Sequence, residues 1–187
     1  MHVSSGKAYG HQLFTSPIKN LNPVTTVVRK PLFDAIADKI IGKRVLDLFA
    51  GTGSLGIEAL SRGATFAYFV DHSQQSCNLI KKNLNHSFLL GKYRLFCQDV
   101  FSFLESNYEK FDLVFADPPM NFLDLRAVLE QLKKNLNDGG LIVLRNPVMP
   151  DLNTLVTYKL VRETNYLNEK FILLTYIHKN ELPLLRL

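Results

Sequence analysis

The sequence predicts an α/β fold: a mostly parallel sheet of seven strands with helices on both faces. Three observations predict it. Val45-Leu46-Asp47-Leu48-Phe49-Ala50-Gly51-Thr52-Gly53-Ser54-Leu55-Gly56 is a short apolar run that ends in a glycine turn and continues with helical spacing. Phe111-Asp112-Leu113-Val114-Phe115-Ala116-Asp117-Pro118-Pro119-Met120 is a second such run, closed by two prolines that fix φ and remove two N–H groups. From Arg44 onward, apolar runs alternate with segments of helical periodicity, the pattern of parallel strands and their crossover helices. A chain of 187 residues suits one globular unit. Residues 1–24 read as a basic N-terminal arm or hairpin and residues 25–187 as the main domain.

The arm contains Gly6, Gly10, Pro17 and Pro23 and no helical periodicity. Short strands around Val3 and Gln12-Leu13-Phe14 predict a hairpin. Thr25 or Thr26 can cap a helix with Val28, Leu32, Phe33, Ile36 and Ile40 on one face, which places Pro31 near its first turn. Strand one is expected over 44–49, and its helix from Ser54, as the cap, to Arg62, with Gly63 as the stop. Strand two, 66–70, ends at Asp71. Ser73 caps a helix carrying Cys77, Ile80 and Leu84. Strand three is 93–97, followed by Asp99 and a short helix, 100–105. Strand four is 111–116. Leu125, Val128, Leu129, Leu132 and Leu136 mark a helix closed by Gly139-Gly140, and strand five is 141–144. The alternation then stops: 156–162 and 170–177 read as two strands joined by a short polar turn.

Strand, glycine turn and helix N-terminus together make a nucleotide-type pocket. Gly51-x-Gly53-x-x-Gly56 matches the dinucleotide fingerprint, and Asp71 lies about 20 residues on, where a carboxylate bonds a ribose hydroxyl. Asp47 decides between ligands. A carboxylate inside that run repels a pyrophosphate but suits an ammonium or sulfonium group, and S-adenosylmethionine (SAM) carries both and no phosphate. A capping or core role for Asp47 and a solvated turn role for Asp117 are the structural alternatives. The C-terminal ends of strands in an open α/β sheet share one crevice, which brings the two motifs together.

With these motifs, Asp47-x-Phe49-x-Gly51-x-Gly53, Asp71 and Asp117-Pro118-Pro119, the chain resembles the Rossmann-like class I SAM-dependent methyltransferases. Residues 45–64 resemble the RsmD family more closely, and the similarity runs from Gly6 to Tyr176. That resemblance implies a C-terminal antiparallel strand pair, SAM as cofactor with S-adenosylhomocysteine as product, no metal, and methylation of a guanine N2 in small-subunit ribosomal RNA. It implies cofactor contacts from Asp47, Phe49, Ala50, Gly51, Thr52, Gly53, Asp71, His72, Asp99 and Val100. Asp117 and Pro118 would accept the two N–H groups of the target amine, with Pro119 and Met120 beside them. Met120 stands where such families usually have Tyr or Phe to stack on the base, and Phe122 is a substitute. Lys7, Arg29 and Lys30 would contact RNA. The family's Arg-Pro-Thr is Asn22-Pro23-Val24 here, and its Tyr-Gly-Asp turn reads Tyr166-Leu167-Asn168.

Composition agrees with a nucleic-acid partner. The net charge of +5 resides in residues 1–44, with seven Lys or Arg against two Asp, while the remainder is neutral. Cys77 and Cys97, alone and far apart in sequence, exclude a disulfide framework or zinc site and suit the cytoplasm. No apolar run is long enough for a membrane span or a signal-peptide core. The expected particle is a monomer acting on the 30S subunit or its RNA. The competing readings are an adenine-N6 DNA or RNA methyltransferase, a protein-glutamine methyltransferase, an NAD-binding oxidoreductase, and a catalytically silent RNA-binding protein on the same fold.

Overall fold

The computed structural model describes residues 1–15, 23–119, 122–145 and 157–177. The elements are α1 (Thr26–Ala35), β1 (Arg44–Leu48), α2 (Ser54–Ser61), β2 (Phe66–Asp71), α3 (Gln74–His86), β3 (Tyr93–Cys97), α4 (Val100–Ser106), β4 (Phe111–Ala116), α5 (Leu125–Leu132), β5 (Leu136–Arg145), β6 (Tyr158–Tyr166) and β7 (Glu169–Tyr176). They build one seven-stranded sheet in the order β3-β2-β1-β4-β5-β7-β6. Strands β1 to β5 run parallel, and β7 lies antiparallel to both β5 and β6. The order reverses between β1 and β4, so a crevice opens beyond Leu48 and Ala116.

Side-chain alternation sorts the core into two layers. Val45, Phe69, Leu113, Phe115 and Val143 face α1, α2 and α3, whereas Leu46, Leu48, Tyr68, Val114 and Ile142 face α4 and α5. Residues buried on both faces of a strand explain the unbroken apolar runs. Two helices start on side-chain caps, Ser73 as expected and Asp99 as well. Ser73 Oγ accepts from Ser76 N–H at 3.3 Å, and Asp99 Oδ1 accepts from Phe101 N–H at 2.8 Å.

Several local expectations need correction. Thr25 holds the N-cap position of α1 without a side-chain bond, and Thr26 Oγ1 turns instead to the backbone of His2. Pro31 is the sixth helical residue, beyond the first turn; the bond its missing N–H would have made belongs to exposed Val27. Gly53, not Ser54, occupies the N-cap of α2. Leu136 opens β5 opposite Phe111 instead of ending a helix, and Gly139, at φ +69, lies where the β4–β5 register shifts. The last hairpin is tighter than expected, with only Leu167 and Asn168 between its strands, and β6 runs on to Tyr166.

The N-terminal arm packs against this layer as a hairpin. His2 bridges Gln12, Val3 N–H donates to His11 O at 2.9 Å, and Val3, Ala8 and Leu13 are buried with α1–α3. Gly6 allows the closest approach: a Cβ there would lie 1.9 Å from Ser61 O.

Candidate active site

The crevice is framed by the loop after β1. Phe49, Gly51 and Gly53 have φ of 57, 57 and 74, so three of five residues take the left-handed conformation. For Phe49 that is a strained backbone of the kind found at ligand sites. Its ring meets Phe122 at 5.0 Å, and Phe122 stacks on Phe101 at 6.4 Å, making an aromatic wall from β1 to the first turn of α4. Ala50 N–H donates to Val70 O, and Thr52 O accepts from Asn83 Nδ2 at 2.9 Å, which fixes the loop to β2 and α3.

Three carboxylates sit at the ends of adjacent strands. Asp71, closing β2, accepts from Gly51 N–H at 2.8 Å and from Ser73 N–H at 2.9 Å. Asp47 lies beneath the loop, 1% exposed, and accepts from Gly56 N–H at 2.9 Å, so it serves an orphan donor of the first turn of α2 from the strand side. Burial pushes the Asp47 carboxyl well above its usual range; the Gly56 bond opposes this, and the negative charges of Asp117 and Asp71 add to it. Asp117 follows β4, its side chain 21% exposed. Its Oδ2 accepts from Arg145 Nη1 at 2.8 Å, and Arg145 Nε donates to Glu169 Oε2 at 2.7 Å. Burial raises Asp117 to about 6, Arg145 pulls it down and Glu169 pushes it up.

The remaining candidates divide into two groups. Asp99 and buried Val100 lie just past β3, on the same rim as Asp71, and His72 is exposed there. Pro118 is half-buried, and Pro119 O accepts from Phe122 N–H at 2.9 Å. Met120 lies outside the described residues. The RNA candidates are not gathered at the crevice. Lys7 N–H donates to Ser61 O at the far end of α2, about 12 Å of helix away from the glycine loop. There, Lys7, His11, Phe88 and Lys92 border a separate hollow of about 250 Å³. Lys30 is exposed and pairs with Asp34. Arg29, expected at an RNA surface, is fully buried and paired with Glu58, because the arm closes over it.

Arg145 and Glu169 escaped sequence reasoning. Arg145 ends a buried-strand run and so obeys the crevice rule that nominated Asp117; that signal was available. Glu169 carried none. Cys77 and Cys97, distant in sequence, are neighbours across α3 and β3; burial and the nearby Cys97 push the Cys77 thiol up to about 12.

The residues fit SAM. The glycine loop offers close backbone approach, Asp71 offers a carboxylate to vicinal hydroxyls, and the acids at the ends of β2 and β4 favour a cationic ligand over a diphosphate. A family model described as "Conserved hypothetical protein 95" matches residues 1–175. The chain belongs to that family. Within it, the chain is 34% identical over 148 residues to "Putative rRNA methyltransferase YlbH" of Bacillus subtilis, covering 76% of this chain and 80% of that one. It is 33% identical over 140 residues to "Ribosomal RNA small subunit methyltransferase D" of Escherichia coli, covering 75% and 68%. Among solved structures, "Putative methyltransferase yhhF from Escherichia coli" superposes with a TM-score of 0.80 at 27% identity, over 96% of this chain and 99% of that one. The RsmD-like membership read from the motifs holds, and the fold is that of a Rossmann-like class I methyltransferase.

Proposed function

We propose that this protein transfers a methyl group from SAM to the exocyclic N2 amine of a guanine in small-subunit ribosomal RNA, in the cytoplasm and on an assembled or partly assembled particle. The observation that carries the proposal is the position of Asp117-Pro118-Pro119, directly beyond β4 and beside the glycine loop of β1. The ribosomal substrate rests on the names of the relatives.

When bound, SAM supplies a methyl group on a sulfonium, whose sulfur keeps the bond pair as the amine nitrogen takes the methyl. The chain's residues do the rest. Gly51 and Gly53 let the backbone approach the methionine part, and Asp71 accepts from the ribose. Its oxygens each hold a spare lone pair beyond the bonds to Gly51 and Ser73. Asp99 and Val100 flank the adenine. An exocyclic base amine is a poor nucleophile because its lone pair is delocalised into the ring. The Asp117 carboxylate and the Pro118 carbonyl accept its two N–H groups, which localises that lone pair and aims it. One N–H proton then leaves, through Asp117 or directly to water.

The test is transfer of labelled methyl to unmethylated small subunits, naked rRNA and duplex DNA, with Asp117→Ala alongside. The expected result is N2-methylguanosine in rRNA, reduced about a hundredfold or more in the variant while SAM still binds. Label in adenine or in DNA would replace this reading with an adenine-N6 enzyme. SAM binding without transfer to any of them would leave a silent RNA-binding protein.

A further inference from the structure

Arg145 and Glu169 extend the proposed chemistry beyond the family motifs, and the inference rests on the function proposed above. Arg145 ends β5, and its preceding residue, Leu144, pairs with Ala116 just before Asp117. Its side chain is 4% exposed, and its guanidinium is held by carboxylates from two other segments, Asp117 after β4 and Glu169 on β7. A planar fork bonded at both ends cannot swing without breaking a charge-assisted bond. Asp117 Oδ2 is thereby committed, and Oδ1 carries no hydrogen bond to a described residue. We propose that Arg145, braced by Glu169, is the positioning residue that fixes the Asp117 carboxylate and keeps it an acceptor for the substrate amine.

The charges are suited to that task. Two carboxylates and one guanidinium leave the cluster with a net −1 beside the developing positive charge of the amine. Asp117 on its own is disfavoured as an anion by burial and by the charge of Glu169; Asp71 on β2 and Asp47 on β1, the latter pushed toward its neutral form by burial, are the other carboxyls at these strand ends. Arg145 is the cation that opposes them. Protonated Asp117 would lose one acceptor, so activity is expected to fall as the pH drops through about 6, the value at which Asp117 titrates.

The experiment compares Arg145→Gln, Arg145→Lys and Glu169→Gln for kcat, RNA KM, SAM affinity and the pH dependence of kcat. Arg145→Gln should lower kcat about tenfold or more with SAM affinity within about twofold of the parent, and should move the acid limb to higher pH. Glu169→Gln should move that limb the opposite way, because it removes a negative charge while Arg145 remains. Arg145→Lys should restore part of kcat, since it keeps charge without the fork. Acid limbs that stay in place in both Gln variants would overturn the proposal, as would a loss of kcat matched by loss of SAM binding and of folding. A failure of the functional reading is separable: titration of the Asp117 carboxyl by carbon NMR, in parent and Arg145→Gln, needs no RNA. An unchanged Asp117 titration there would overturn the positioning role as well.

Discussion

Arg29 ties three segments of the protein together from a fully buried position. Its Nε donates to Glu58 at 3.0 Å, Nη1 to Val24 O at 3.0 Å, and Nη2 to His2 O. Glu58 also accepts from Ser4 N–H at 2.9 Å and from Arg62 Nε at 2.8 Å. Arm, α1 and α2 are therefore joined through one buried pair with its hydrogen bonds satisfied. Burial would raise the Glu58 carboxyl, but the Ser4 and Arg62 bonds and the charge of Arg29 outweigh it and hold it below its usual range. A depressed carboxyl contributes stability above its unfolded pKa and loses it as pH falls through the folded value. Removing one partner leaves a buried charge unpaired, so Glu58→Gln should cost about 3–5 kcal/mol in urea unfolding at pH 7. A cost of less than about 1 kcal/mol would show that the pair is dispensable. The sequence could not reveal this, because a charged residue on an amphipathic helix defaults to the surface and only the arm's closure buries it.

At the scale of elements, helix α2 and its glycine loop were legible because three local signals agreed: an apolar run, a glycine turn and renewed helical spacing. Strands β3 and β4 were legible over their full length from other punctuation, the Asp99 cap just past β3 and the two prolines just past β4. The end of α5 was not. Leu136 continues the helical spacing of Leu129 and Leu132, but it pairs with Phe111 across the sheet, and tertiary pairing prevailed over period. Gly56 tests how closely α2 must sit. A Cβ there would lie 2.3 Å from the Phe69 ring and 3.1 Å from Asp47 Oδ2. Alanine is the better helix former by about 1 kcal/mol, so Gly56→Ala would stabilise an isolated helix. In this fold it should destabilise by about 1–3 kcal/mol and weaken SAM binding, since α2 must lift off β1 and β2. Calorimetry with and without SAM measures both, and an unchanged or raised melting temperature would refute the close packing.

At the scale of the whole molecule, the charge excess read from residues 1–44 looks different once folded. Arg29 is buried against Glu58, Lys30 pairs with Asp34, Lys39 with Asp38, Lys43 with Asp112 and Arg44 with Glu109. Asp34 and Asp38 belong to the same segment and were already in its count, but composition could not show that Glu58, Asp112 and Glu109 from the rest of the chain would meet Arg29, Lys43 and Arg44. The exposed pairs are weak and can exchange toward phosphate, yet they reduce the field that would draw RNA in. Lys7, which makes no ion pair among the described residues, lies at the end of α2 away from the crevice. With so few unneutralised cations of this segment near the site among the described residues, the protein should make few phosphate contacts, and each contact contributes about 0.7–0.9 to the slope of log affinity against log salt. Binding to naked rRNA should therefore be weak and shallow in salt dependence, with selection of one base left to the shape of a folded particle. Methyl transfer to small subunits stripped of the modification is expected to run about tenfold or more faster than to the same RNA without proteins, at equal salt. Equal rates on both would mean that the RNA alone presents the target.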